Sequence, residues 1–399
     1  MELTECPLAL RSLTVFSHVK EDPLIMELCR FGECRVSGDI PGAVSAYAAM
    51  VSRLYDTPSC ALSRYIDALV TDSDNAYIRR IGAGQTPPVC LTARAEEELA
   101  LLQAVADLTP AQFAEGLGVS LAGFAVEPVS LADTYRRRVA EVHRRGYGMY
   151  AGHRMFTLDD AGRIIPVRHP DTVRLNELIG YEREKAVLLQ NTRALLAGKP
   201  AANVLLTGDA GTGKSSTVKA LVNELYGEGL RILEVRKDQL RLIPAVLDEL
   251  GDNPLRFILF IDDLSFRQDD DDFRALKAIL EGSVSAPSGN VVVYATGNRR
   301  HLIREKFSDR EGDDVHRNDT MQELLSLSER FGIRLTFNRP DKSTYLSIVS
   351  GLAAARGLPF TDALAAKAEQ FALEHGIRSA RAARQFVDLE LAGRNTPLT

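Results

Sequence analysis

The sequence predicts an α/β fold: a parallel sheet flanked by helices, with a mainly helical region ahead of it and a small helical region behind it. Three observations carry this. Asn203 to Thr207 is an apolar run of strand length that breaks into the glycine-rich stretch Gly208 to Ser215; Val218, Leu221, Val222 and Leu225 then recur at helical spacing. Phe257 to Ile261 is an unbroken apolar run, the pattern of a strand buried on both faces of a parallel sheet. Strands and helical stretches alternate as far as Phe337, which implies parallel βα units.

The whole chain sets the frame. Its 399 residues allow two or three domains. A 45% apolar and 26% charged composition is that of a globular protein. The net charge of −6 argues against a generally basic nucleic-acid binder. No apolar run approaches the roughly 20 residues that cross a bilayer. The N-terminus carries Glu2 and Glu5 and no basic segment, so no signal peptide is read and a cytoplasmic location is expected. Cys6, Cys29, Cys34, Cys60 and Cys90 are odd in number and lack a C-x-x-C pair, which supports neither a disulfide framework nor a zinc site.

Residues 1–165 read as a packed helical domain of unidentified role. Ala43 to Tyr55, Ser63 to Ile81 and Thr92 to Leu108 carry helical patterning, and Thr109-Pro110 reads as a helix cap followed by proline at the first helical position. Arg136, Arg137, Arg138, Arg144, Arg145, Arg154, Arg163 and Arg168 crowd one stretch, with Tyr135, Tyr147 and Tyr150 among them. Arginines with aromatics can track a nucleic-acid backbone and stack on bases. The favoured reading is a solvated face pairing with neighbouring acids, with nucleic acid the lesser alternative. Gly146, Gly148 and Gly152, then Pro166 and Pro170, place a domain boundary near residue 165.

Residues 166–338 are the expected core. Leu178-Ile179-Gly180-Tyr181 is an apolar turn upstream of the glycine-rich loop, a candidate clamp for a nucleotide base through Ile179 and Gly180, and a helix is expected from Glu182 to Leu196. Gly208-Asp209-Ala210-Gly211-Thr212-Gly213-Lys214-Ser215 fits the phosphate-binding pattern G-x-x-x-x-G-K-[ST], with Ser216 next in the helix. Its glycines let backbone N–H groups turn inward on phosphate oxygens. Lys214 is expected to reach the β- and γ-phosphates and Ser215 to bind Mg2+, at a helix N-terminus whose dipole favours an anion. Arg231 to Val235 reads as the next strand. Asp262 and Asp263 follow the Phe257 run, at the carboxyl end of a strand, where open α/β sheets bind ligands. Asp262 is then the Mg2+ carboxylate and Asp263 the group that orients or deprotonates the attacking water. Asp269 to Asp272 reads as a solvated loop. Asn290 to Ala295 is a further strand, after which Asn298, with Thr296 second, is the candidate for positioning that water. Ile333 to Phe337 is the last strand, preceded by Glu329-Arg330-Phe331-Gly332.

Residues 339–399 read as a small helical domain. Tyr345, Ile348, Val349 and Leu352 share a face, a second helix starts from a Thr361 cap, and a third starts near Arg378 and carries Arg381 and Arg384.

With these pieces in order, residues 170–395 resemble the AAA+ ATPases. By that resemblance Gly208 to Ser215 is Walker A, Phe257 to Asp263 is Walker B, Asn298 is sensor 1 and Arg330 is the arginine finger. Arg378, or else Arg381, is sensor 2 in the lid. The resemblance implies ATP and Mg2+ as cofactors and a homo-oligomer, as a ring or open ring, acting on a protein client. More narrowly, His169-Pro170-Asp171, Leu178-Ile179-Gly180, FILFIDDLSF, YATGNRRHL and LSLSERFGIRLTF resemble a bacterial AAA+ family known only as a domain of unknown function, whose core is similar to helicase-loader and initiator ATPases. Many AAA+ proteins carry Asp-Glu in Walker B; Asp262-Asp263 is one methylene shorter. Three activities are therefore expected to compete: an ATPase that remodels a client, a slowly turning switch or loader, and a nucleic-acid-associated motor.

Overall fold

The structure is a computed structural model, and it describes residues 2–264, 276–277, 279–280, 289–298 and 329–393. The chain forms two compact units: Met1–Gly152 with Asp252–Pro254, and His153–Gly251 with Leu255–Thr399.

The first unit is helical. Its helices include α1 (Cys6–Arg11), α2 (Pro23–Ser37), α3 (Ile40–Tyr55), α4 (Leu62–Thr71), α5 (Ala76–Gly82), α6 (Val89–Ala106), α7 (Pro110–Ala114), α8 (Leu131–Ala140), α9 (Val142–Arg145) and α10 (Met149–Gly152). Side-chain caps start several of them. Asp22 accepts from the Leu24 and Ile25 N–H groups, Asp39 from Gly42, and Asn75 from Tyr77 and Ile78. Thr109 and Gln112 form the capping box at α7. Phe31, Tyr47 and Phe113 pack against one another in tilted and edge-to-face pairs, with ring centroids 5.1 to 6.2 Å apart. The segment Thr14 to Phe16 has no helical ladder, and Glu98 of α6 anchors it. That buried carboxylate accepts from the N–H groups of Thr14 (2.6 Å), Val15 (3.0 Å) and Phe16 (2.9 Å) and from the Thr14 hydroxyl (2.7 Å); Arg94 pairs with it at 2.8 Å. All five cysteines are free thiols. The stretch Ser63 to Ile81 is two helices, because Asp72, Ser73, Asp74 and Asn75 break the first and cap the second.

Four of the eight arginines in the arginine-rich stretch pair with acids. Arg136 pairs with Asp133, Arg138 with Asp72, Arg145 with Glu141 and Arg163 with Asp159. Arg138 is itself buried. Pairing with neighbouring acids is the arrangement found.

The second unit is built on a sheet with β1 (Met155–Leu158), β2 (Ile164–Pro166), β3 (Val204–Gly208), β4 (Leu230–Val235), β5 (Arg256–Ile261), β6 (Val291–Asn298) and β7 (Ile333–Phe337). Among the described residues the order is β2-β1-β4-β5-β6-β3-β7. β1 and β2 are antiparallel, and every other pair is parallel. β1 pairs with β4, so the sheet reaches back beyond residue 165 and the compact unit starts at His153. The Arg and Gly content of that region obscured the short apolar strand Met155–Leu158. β5 is the most buried strand; Phe257, Ile258, Leu259, Phe260 and Ile261 are each at most 1% exposed. Burying each such side chain contributes about 1.5–3 kcal/mol. Helix α11 (Glu182–Leu196) and helix α12 (Lys214–Leu225) pack Leu188, Leu195, Val218, Leu221 and Leu225 into the same core as β3 and β6. A separate small core joins α13 (Lys342–Ala355), α14 (Asp362–Glu374) and α15 (Ala380–Leu391) around Tyr345, Val349, Ala368, Ala383 and Phe386. Asp341, Thr361 and Ser379 cap these three helices. The aspartate run Asp269 to Asp272 and residues 299–328 lie outside the described residues.

Candidate nucleotide-binding site

The site grows from the strand order. Because β6 lies between β3 and β5, the loop after β3 and the carboxylates after β5 face one crevice at the carboxyl ends of the strands. The loop turns through Gly208 (φ 147°), Gly211 (φ 77°) and Gly213 (φ 96°), and α12 begins at Lys214. Positive φ at Gly211 and Gly213 is the backbone freedom that such a cradle needs. Thr212 fixes it from within by donating to the Asp209 carbonyl at 2.9 Å.

Lys214 is 7% exposed, and its Nζ donates to the carbonyls of Gly208 (2.9 Å) and Asp209 (2.8 Å). Burial pushes its pKa below the ordinary lysine value, opposed by the charges of Asp262, Asp263 and Asp209, while Arg381 adds to the lowering. A desolvated cation among carbonyl oxygens and acids at a helix N-terminus is poised for a polyanion.

Ser215 Oγ donates to Asp262 Oδ1 at 2.6 Å. Thr296 Oγ1, on β6, donates to the same oxygen at 2.5 Å and accepts from the Asp263 N–H at 2.9 Å. Asp263 takes a left-handed backbone, with φ 54°. The Ser215 hydroxyl and the Asp262 carboxylate are hard oxygen donors in contact, which fits Mg2+ held beside a phosphate. Among the described residues no set of three or more His, Cys, Asp or Glu side chains gathers to hold a metal.

Beside these groups lies a cavity of about 400 Å³. Gly211 to Ser216 and Asp262 form its polar wall. Ile179, Gly180, Ile348 and Leu352 form the apolar part, and Arg381 and Arg384 close it from α15. Ile179 packs directly on Gly351 of α13, where any Cβ would collide with its Cδ1. The Arg381 N–H donates to the Gly211 carbonyl at 3.3 Å, tying the lid helix to the loop.

Residues 151–395, well over half of the chain, match the family described as a protein of unknown function, DUF815. The chain belongs to this family. Among curated proteins none matches it. Among solved structures, the RuvB Holliday junction branch migration motor of Thermotoga maritima matches at 18% identity and a TM-score of 0.36, over 55% of this chain and 66% of that one, just under two thirds of its length. The FIGL-1 AAA domain in complex with ADP matches at 18% identity and 0.38, over 56% and 74%. PCH-2 of C. elegans matches at 17% and 0.39, over 56% and 66%.

The other sequence-predicted residues of the DUF815 chain fall in different places. Asn298 closes β6 with its backbone in register with Gly208; the role expected of its side chain lies outside what is described. Arg378 pairs with Glu369 through Nε and Nη2 and does not line the cavity, whereas Arg381 and Arg384 do. Arg330 precedes β7 at the edge of the sheet away from the loop, since Gly208 is level with Phe337 and Val204 with Ile333. Two contributors went unread in the sequence. Tyr181 stacks on Phe337 at 4.7 Å and donates to the Asn338 carbonyl, holding the Ile179-Gly180 turn. Gly351 gives Ile179 its seat, and its only sequence signal is a glycine inside a helical pattern.

Proposed function

We propose that this chain is an AAA+ ATPase that binds Mg2+ and ATP, hydrolyses the terminal phosphoanhydride, and couples the cycle to remodelling or loading of a macromolecular client. The observation that supports this most is the meeting of Lys214, Ser215, Asp262 and Thr296 at the carboxyl ends of β3, β5 and β6. In this reading the loop N–H groups and Lys214 hold the β- and γ-phosphates, and the base lies against Ile179 and Gly180. Ser215 and Asp262 hold Mg2+, which neutralises phosphate charge when bound. Asp263 orients water and accepts its proton, Asn298 positions that water, and Arg381 or Arg384 takes the lid role first given to Arg378. Catalysis rests on positioning and on stabilising charge on the γ-phosphoryl oxygens.

Arg330 stands a strand's length, roughly 15 Å, from its own loop; we propose that it serves a neighbour's nucleotide in a homo-oligomer. We read the helical unit, the sheet and the lid as three functional domains, and the cytoplasm as their place of action. Among the described residues no helix is long and apolar enough to cross a membrane. Nucleic acid is not the favoured client, because four of the eight arginines in the arginine-rich stretch are paired with acids. A switch that turns over slowly is the second reading, favoured by the short Asp263 side chain.

Titration with ATP tests the site. Lys214→Ala is expected to lose affinity on the order of a hundredfold, since it removes a charge-assisted contact to two phosphates. Wild-type affinity in that variant would sink the assignment.

A further inference from the structure

We infer that Thr296 is a positioning residue that locks the two acids of β5 into one unit, so that the hold on Mg2+ and the aim of Asp263 depend on a single hydroxyl. This rests on the nucleotide-site reading above. The side chain is 2% exposed and stands on the central neighbour of β5. Its one proton goes to Asp262 Oδ1 at 2.5 Å, and its oxygen accepts the Asp263 N–H at 2.9 Å. The strand adds a second tie, from the Leu264 N–H to the Thr296 carbonyl at 2.7 Å.

Each bond has a distinct consequence. Asp262 Oδ1 also accepts from Ser215 at 2.6 Å. Two donors on one oxygen fix the rotation of the carboxylate, and the Thr296 donor remains whatever Ser215 binds. Asp263 has φ 54°, a left-handed backbone that is uncommon outside glycine, although aspartate and asparagine adopt it more readily than other residues, and constraints from the surroundings help to hold it. Its N–H bond to Thr296 is one such constraint, and it acts on the backbone that carries the candidate water-orienting acid. Serine would keep both bonds. Valine would keep the shape and lose both.

The test compares Thr296→Ser and Thr296→Val with the wild type by three measurements: ATP affinity without metal, the Mg2+ dependence of that affinity, and steady-state turnover. In the valine variant, metal-free ATP affinity should stay near the wild-type value, because the loop and Lys214 are untouched. The Mg2+ concentration for half-maximal tightening should rise about tenfold or more, and kcat should fall by a similar factor, as is usual when a group orienting a metal ligand is removed. The serine variant should stay within about twofold of wild type in both. Wild-type Mg2+ dependence and turnover in the valine variant would overturn the inference. So would a serine variant as impaired as valine, which would point to the methyl group and packing. If the valine variant does not fold by circular dichroism, Thr296→Ala, which adds no bulk, takes its place with the same expectations. Failure of the wild type itself to bind ATP would instead reject the nucleotide-site reading and this inference with it.

Discussion

That Lys214, Ser215, Asp262 and Asp263 share one crevice was legible in the sequence, because a glycine-rich loop after one strand and a pair of acids after another both end at the carboxyl edge of a parallel sheet. The choice between Arg378 and Arg381 was not, and Arg384 was not weighed with them. It turns on Glu369, which engages Arg378 and is carried on a different helix. Thr296 was read as a second candidate for positioning water, and its contacts instead run to the two acids beside it. Asp263→Asn is expected to keep ATP bound and to stop turnover, because an amide cannot accept the water's proton. Equilibrium ATP binding together with phosphate release checks this, and normal phosphate release would remove Asp263 from the mechanism. The left-handed backbone at position 263 should tolerate asparagine, so loss of folding is not the expected cause.

Elements were legible where their pattern was uninterrupted. α11 and β7 run over Glu182–Leu196 and Ile333–Phe337, as expected from their apolar spacing. β1 and β2 were missed because two short strands, separated by a tight turn at Asp159 to Gly162, give too few residues for periodicity to register. Long-range anchors leave no local trace either, and Glu98 is the clearest. Burial opposes its ionisation, yet hydrogen bonds from Phe16, Thr14 and Val15 hold its pKa below the usual carboxylate value. A depressed folded-state pKa means stability that is present above the unfolded carboxylate value and lost as pH falls through the folded one. The helical unit should therefore lose stability on acidification below about pH 4. Glu98→Gln should cost about 2–3 kcal/mol at pH 7 and flatten that acid loss. Calorimetric melts of both chains between pH 7 and pH 3 decide the matter; parallel acid curves would count against the role given to Glu98.

At the scale of the molecule, the parallel βα layout and the small helical region behind it followed from the alternation of patterns, whereas the order of the strands was not read. The start of the second unit did not follow either, because the boundary depends on which strand β1 pairs with. Arg330→Ala should retain ATP and lose turnover by about a thousandfold, the usual contribution of an arginine that completes a neighbour's site. Mixing Arg330→Ala with Lys214→Ala should restore part of the activity, since one chain then supplies the nucleotide site and the other the guanidinium. Turnover per chain should also rise with protein concentration. Full activity of Arg330→Ala, with no concentration dependence, would return Arg330 to the role of a surface ion-pair partner.

Gly208 carries a different kind of information from Gly213, although both are fixed letters of the same motif. A Cβ at 213 would meet nothing within 4 Å, so glycine is required there by φ alone. A Cβ at 208 would run into the Phe337 carbonyl oxygen on the adjoining edge strand. The first glycine thus records the presence of a neighbour more than a hundred residues further along the chain. A reader of the linear text who meets it has already been told that a strand returns to lie against that side of β3.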